Sequence, residues 1–126
     1  MVKRAFILLI LCSITTVLFI ACGTPTVSKA DNPVHMDNTI FLSSLITIKK
    51  GEHITLVSDT LISHTIANGT WENGSSKPAK EPGAPAVNNV LVGGNSIATI
   101  GPFTSAGSFK LYCTVHPGMN LTVIVQ

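Results

Sequence analysis

The segment that decides the fold lies near the end of the chain and reads GSFKLYCTVHPGM (residues 107–119). Its first half alternates, which predicts a β-strand with Phe109, Leu111 and Cys113 on one face. Its second half is a short turn, in which two residues separate Cys113 from His116 and two more separate His116 from Met119. A thiolate, an imidazole and a thioether favour copper over magnesium, calcium or manganese. The segment therefore predicts a core strand that ends in a copper site.

The turn lacks one nitrogen ligand, because trigonal copper sites of the electron-transfer type use two His, one Cys and a weak axial Met. His53 directly follows a Lys-Lys-Gly-Glu turn, and His35 lies beside the N-terminal tether, so both are expected at the surface. His64 belongs to a β-like segment with apolar neighbours and is the best-placed candidate. A histidine in such a setting is more often a hydrogen-bonded core residue, and the incomplete ligand set of the turn is what favours a metal here.

The first 21 residues have the pattern of a secretory signal. Lys3 and Arg4 precede an apolar run at residues 5–21, which is slightly short for a membrane span of about 20 residues. The run leads into FIACG (residues 19–23), which resembles a bacterial lipobox, so we expect Cys22 to be lipidated and to become the mature N-terminus. An ordinary cleaved signal and an uncleaved anchor are the alternatives. All three place the rest of the chain outside the cytoplasm.

Composition and cysteine count narrow the class of protein further. Residues 22–33 are small, polar and proline-containing, which predicts a flexible tether before one domain at residues 34–126. Two of the eight basic residues lie in the signal, which leaves six basic and six acidic residues and no electrostatic signature of nucleic-acid binding. Cys12 and Cys22 precede the domain, so Cys113 is its single thiol, and such a thiol needs burial or a metal in an oxidising compartment.

The predicted domain consists of short β-like segments between turns. These segments are residues 44–48, 53–57, 63–66, 96–100, 109–113 and 121–125. No segment after the signal has a helical period with caps. We therefore expect an all-β domain, a Greek-key β-sandwich or barrel of about seven to eight strands. Residues 67–69 are expected to form a turn. Residues 71–85, rich in Gly, Pro and Ser, are expected to be a long surface loop or a poorly ordered insertion.

Over nearly the whole predicted domain the chain resembles the cupredoxins. The resemblance is carried by ITIKKGE (residues 46–52), SHTI (residues 63–66) and GSFKLYC (residues 107–113). The Cys-x2-His-x2-Met turn is similar to the ligand loop of amicyanin, whereas plastocyanin and pseudoazurin have a longer spacer before Met. The resemblance implies one copper ion per chain, bound by His64, Cys113, His116 and the weak axial ligand Met119.

One position departs from the family pattern. The residue after the upstream His is commonly Asn in cupredoxins, where its side chain braces the ligand loop, and here it is Thr65. We expect Thr65 to hydrogen-bond Thr114, with a shorter reach than Asn. The resemblance thus implies a site that is less rigid or differently tuned.

Other kinds of site fit these residues less well. Structural zinc usually takes more Cys or His ligands, and Met is a poor zinc ligand. A Cys-His nucleophile requires an exposed thiol and leaves Met119 without a role. A binuclear copper centre needs two cysteines, and a multicopper oxidase needs several domains. Met36 is expected to have no metal role.

These features predict a monomeric one-electron carrier outside the cytoplasm that is not an enzyme by itself. The resemblance implies that a redox protein partner docks transiently on an apolar surface around His116 and Pro117, with Pro85 or Val87 nearby. A lipid on Cys22 would attach the protein to the membrane. The alternative is a lipid-tethered protein that binds, delivers or buffers copper without redox turnover.

Overall fold

The computed structural model describes residues 31–126, which form nine β-strands in two sheets. The predicted signal, the lipidation site Cys22 and most of the predicted tether lie outside the described residues. The strands are β1 (Pro33–Met36), β2 (Leu45–Ile48), β3 (Ile54–Ser58), β4 (His64–Glu72), β5 (Ser75–Pro78), β6 (Val90–Val92), β7 (Ile97–Ile100), β8 (Gly107–Cys113) and β9 (Asn120–Val125). Residues 31–126 contain no helix, and therefore none that is long and apolar enough to cross a membrane.

The two sheets form a sandwich. One sheet has the order β1-β3-β7, with β1 parallel and β7 antiparallel to β3. The other has the order β2-β9-β8-β4, and both β5 and β6 pair with β4. The chain crosses repeatedly between the sheets, so that strands distant in sequence, such as β2 and β9, become parallel neighbours. The predicted all-β sandwich is confirmed, with nine strands in place of seven to eight.

Alternation along the strands fills the space between the sheets with apolar side chains. In β9, for example, every second residue is buried. Burial of one such aliphatic or aromatic side chain contributes about 1.5–3 kcal/mol. The buried cluster also contains Cys113, Met119 and Met36. The ligand turn is therefore anchored in the core, and Met36 is a core side chain.

The prediction of a turn at residues 67–69 is wrong, because the strand β4 runs through these residues. The predicted long loop at residues 71–85 is correct only for residues 79–85, because β4 continues to Glu72 and returns as β5, with Glu72 opposite Ser75 and Gly69 opposite Pro78. Asn73 and Gly74 connect the two strands with φ angles of 49° and 74°. This is a two-residue type I′ turn, for which Asn-Gly is the preferred sequence. The overall Gly and Pro content of the segment hid this local hairpin signal.

The hairpin formed by β4 and β5 covers the Tyr112 end of the outer face of β8. Tyr112 projects from that face and is nevertheless only 4% exposed. Its ring meets the ring of Trp71 edge-on, with a centroid distance of 6.1 Å and an interplanar angle of 83°. Gly69 makes this close approach possible, since a Cβ there would overlap the Lys77 carbonyl and lie 2.9 Å from Tyr112 Cε1.

Candidate metal centre

Two neighbouring strands carry the first two ligand residues into the same end of the core. His64 is the first residue of β4, and Cys113 is the last residue of β8. These strands are antiparallel, with Ile66 opposite Cys113. Since side chains two residues apart share a face, His64 and Ile66 both point into the sandwich. His64 and Cys113 are each 0% exposed.

The turn after Cys113 supplies the other two residues. The Met119 amide donates to the His116 carbonyl at 3.2 Å, and Gly118 between them has a φ of 80°. Pro at the second and Gly at the third position are typical of a type II turn, whose third residue requires a positive φ. The Cys113 amide donates to the Met119 carbonyl at 3.0 Å and closes the loop. Met119 is thereby brought back into the core, where it is 1% exposed.

Both imidazoles present Nδ1 to the thiol. Cys113 Sγ lies 3.3 Å from Nδ1 of His116 and 3.9 Å from Nδ1 of His64. A trigonal ion with metal–nitrogen distances of about 2.1 Å and a metal–sulfur distance of about 2.3 Å would hold its N and S donors roughly 3.8 Å apart. The donor spacing therefore fits a metal ion of this kind, and the donor types favour copper. The three ligating atoms lie within 4.8 Å of one another, and no second group of His, Cys, Asp and Glu side chains with this proximity occurs in residues 31–126.

The surroundings of His64 favour the neutral imidazole. Burial lowers the pKa of His64, and the adjacent His116 lowers it further, while the backbone of Asp37 acts in the opposite direction. Nε2 of His64 has no hydrogen-bond partner among the described residues. A neutral imidazole is the form that ligates a metal, so His64 is already in the ligating state near neutral pH.

Thr65 and Thr114 are in contact through their backbones. The Thr114 amide donates to the Thr65 carbonyl at 2.8 Å. This bond ties the start of the ligand loop to β4 next to His64, independently of the side chain at position 65. The assignment of the two threonine side chains to the support of the site stays a prediction.

The remaining histidines lie elsewhere on the surface. His35 is in β1, and its Nδ1 contacts the Asp59 carboxylate at 2.9 Å. His53 is exposed and lies just before β3. Two further residues, Trp71 and Asn120, had no role predicted from the sequence. Trp71 donates a hydrogen bond to the Cys113 carbonyl, and Asn120, the residue after Met119, donates to the Trp71 carbonyl.

An all-β sandwich that holds a buried Cys between two imidazole nitrogens, with a Met in the same loop, defines the cupredoxin class of copper proteins. Residues 29–126 match the family described as copper binding proteins, plastocyanin/azurin family, and the chain belongs to this family. The predicted fold family and the predicted copper cofactor are confirmed. The residues that form the candidate copper site are His64, Cys113, His116 and Met119.

Solved structures agree with this assignment. The chain is 26% identical to amicyanin from Paracoccus versutus (Thiobacillus versutus), with a TM-score of 0.58 over 78% of this chain and 84% of amicyanin. It has the same TM-score to a purple cupredoxin from Nitrosopumilus maritimus, at 19% identity over 76% of this chain and 100% of that one. No curated protein sequence matches the chain.

Proposed function

We propose that the protein is a one-electron carrier with a mononuclear type 1 copper site at His64, Cys113, His116 and Met119. The observation that carries this proposal is the buried Cys113 thiol, which faces Nδ1 of both histidines. When bound, copper supplies a Cu(I)/Cu(II) couple that accepts and releases one electron. A set of two imidazoles, one thiolate and one weak thioether is the ligand set of blue-copper electron-transfer sites.

The chain contributes a fixed and dry environment. His64 and Cys113 lie on paired strands inside the sandwich, so their positions are held by the backbone ladder as well as by packing. The burial of both side chains keeps water from the thiolate and from one imidazole. His116 is only half-buried, and its ring therefore supports a role as the route between the site and the surface.

Exposed apolar side chains near the ligand residues support a docking role for this end of the sandwich. Val115 lies inside the ligand loop and is 56% exposed, and Leu91, the register partner of Thr65, is 68% exposed. Val87 does not contribute to such a surface, because it is only 2% exposed. We propose that a redox protein partner docks here transiently, as is usual for small electron-transfer encounters. We also propose that the carrier itself is monomeric.

Electron self-exchange between two copies tests the docking surface without knowledge of the partner. Val115→Lys places like charges against each other in the encounter and should slow self-exchange, as measured by NMR line broadening in mixtures of the two oxidation states. The matched control is Thr104→Lys, at an exposed position far from the ligand loop. The neighbouring Phe103 carbonyl accepts a hydrogen bond from the Gly51 amide, at the end of β9 opposite to Met119. Equal slowing by both variants would argue against docking at the ligand loop.

The visible spectrum tests the electron-carrier proposal directly. The full chain is purified in mild detergent, loaded with Cu(II), and then reduced and reoxidised. An intense thiolate charge-transfer band that disappears on reduction and returns on oxidation is expected. Copper binding without this band, or without reversible reduction, would overturn the proposal and favour copper delivery or buffering.

We also propose that the protein works outside the cytoplasm, attached to the membrane by a lipid on Cys22. This proposal is supported by the signal pattern at residues 1–21 and by the lipobox-like FIACG segment. Mass spectrometry of the mature protein tests it, since a lipid-modified Cys22 at the N-terminus is expected. An unmodified Cys22, or cleavage at another position, would exclude the lipid anchor.

A further inference from the structure

The indole of Trp71 is bonded to the residue that supplies the thiolate. Its Nε1 donates to the Cys113 carbonyl at 2.8 Å. The ring is half-buried and is held in place by the edge-on contact with Tyr112, the residue before Cys113. This hydrogen bond spans 42 residues of sequence and joins the hairpin to the start of the ligand loop (residues 113–119).

The backbone of Trp71 holds the other end of the same loop. Its amide donates to Asn120 Oδ1 at 2.7 Å, and its carbonyl accepts from Asn120 Nδ2 at 3.0 Å. Backbone pairing between β4 and β8 ends at Asn68 and Leu111. Beyond this point, the Asn120 side chain forms the hydrogen bonds to the β4 backbone. Asn120 directly follows Met119. The two hydrogen bonds therefore fix the chain at the point where it leaves the loop.

One residue thus contacts both ends of the ligand loop, from the outer side of the sheet. The link between Thr65 and Thr114 is a single backbone hydrogen bond. We infer that Trp71 is a positioning residue for the copper site and that, with Asn120, it supports the ligand loop in addition to the bond between Thr65 and Thr114. This inference rests on the proposed function for its consequence in electron transfer.

Rigidity is the property that this support would give to the site. The Cys113 carbonyl and the Cys113 thiol share one Cα, so a fixed carbonyl restricts where Sγ lies relative to the two imidazoles. If the loop moved between oxidation states, that movement would add to the barrier for electron transfer. Loss of the support should therefore slow electron exchange even where copper stays bound.

The first test uses the unmodified protein without copper. Trp71 is the only tryptophan, so its indole N–H gives a single resonance in an NMR spectrum of the full chain in detergent. Slow hydrogen exchange of this N–H is expected, because it is bonded and partly covered. Exchange at the rate of a free indole would overturn the inference without recourse to a variant.

The second test removes the supports separately. Trp71→Phe deletes the indole N–H and leaves the backbone bonds to Asn120 in place, whereas Asn120→Leu deletes those bonds and keeps a similar volume. Lys77→Ala is the control, since Lys77 is exposed in the same hairpin opposite Thr70. Amide exchange in the copper-free protein should rise about twofold to tenfold in Trp71→Phe, which removes one hydrogen bond, at ~0.5–1.5 kcal/mol per bond and about 1.4 kcal/mol per factor of ten. Asn120→Leu removes two hydrogen bonds, so its rise should be about fivefold to a hundredfold.

The rise should be confined to the amides of Cys113, Thr114 and Met119 and should be absent in the Lys77→Ala control. In the copper-loaded protein, Trp71→Phe should slow electron self-exchange and shift the thiolate absorption band. A rise spread evenly over all strands would mean that Trp71 is only a structural residue and would overturn the inference. If the unmodified protein lacked a thiolate band, the proposed function would fail, and the copper-free exchange would still decide whether Trp71 holds the loop.

Discussion

Substitution of Gly69 by Ala tests how the hairpin reaches the copper-bearing strand. Gly69 has a φ of 131°, and a Cβ at this position would overlap the Lys77 carbonyl and lie 2.9 Å from both Pro78 Cα and Tyr112 Cε1. None of these atoms is the end of a flexible side chain. The strained φ costs about 1–3 kcal/mol, and forced overpacking costs about 1–3 kcal/mol more. We therefore expect the free energy of unfolding to fall by about 2–6 kcal/mol.

Gly74→Ala separates the two contributions. Gly74 has a φ of 74°, but a Cβ there would meet nothing within 4 Å, so this variant has the backbone strain without the clash. Urea unfolding of the copper-free proteins, followed by near-UV circular dichroism of Trp71 and Tyr112, measures the difference. Gly69→Ala should be the less stable by about 1–3 kcal/mol, or roughly 4–24 °C in Tm. Equal losses in the two variants would refute the argument that the hairpin packs in direct contact with Tyr112.

Three further predictions concern the site and its supports. Cys113→Ser should abolish the thiolate absorption band of the Cu(II) protein, and a band that survives would mean that the ligand assignment is wrong. Asn68→Ala should lower the free energy of unfolding by about 2–4 kcal/mol, because the buried Asn68 side chain accepts a hydrogen bond from the Val87 amide and donates one to the Pro85 carbonyl. The control is Asn88→Ala at the exposed position after Val87, which should change the free energy of unfolding by less than about 0.5 kcal/mol. Copper-free protein should lose stability as the pH falls below about 6.5, because burial and the adjacent imidazole lower the pKa of His64 in the folded protein, so that the unfolded chain binds the proton more readily. Urea titrations at pH 8, 6 and 5 measure this loss, and a pH-independent unfolding midpoint would contradict it.

Strand positions are predicted best where the sequence signal is local. The six predicted β segments correspond to β2, β3, β4, β7, β8 and β9, because alternation and bounding turns are visible within a few residues. The strands β1, β5 and β6 were not predicted. They are short, and β5 is exposed at all four positions, so its residues have no apolar alternation to detect. Only the Asn73-Gly74 turn marks that strand in the sequence.

Burial was harder to predict than strand position. Alternation correctly places Tyr112 on the face of β8 opposite Cys113, which suggests exposure to solvent. The hairpin that covers Tyr112 belongs to a different part of the chain, and its presence depends on the pairing of β4 with β8. The support of the ligand loop by Trp71 and Asn120 is hidden from sequence for the same reason.

The amino-acid sequence is enough to establish the chemistry of the turn. Two-residue spacing between a thiol, an imidazole and a thioether is a local property, and donor type alone is enough to favour copper. It also indicated His64 as the fourth ligand, through its apolar neighbours and the cupredoxin resemblance. Only the tertiary structure decided that Nδ1 of His64 lies 3.9 Å from a sulfur 49 residues away, because that distance depends on the antiparallel register of β4 and β8. Trp71 reaches the Cys113 carbonyl beyond the end of that register, from the hairpin of β4 and β5, so the support of the copper site is a product of the tertiary structure and not of any motif in the chain.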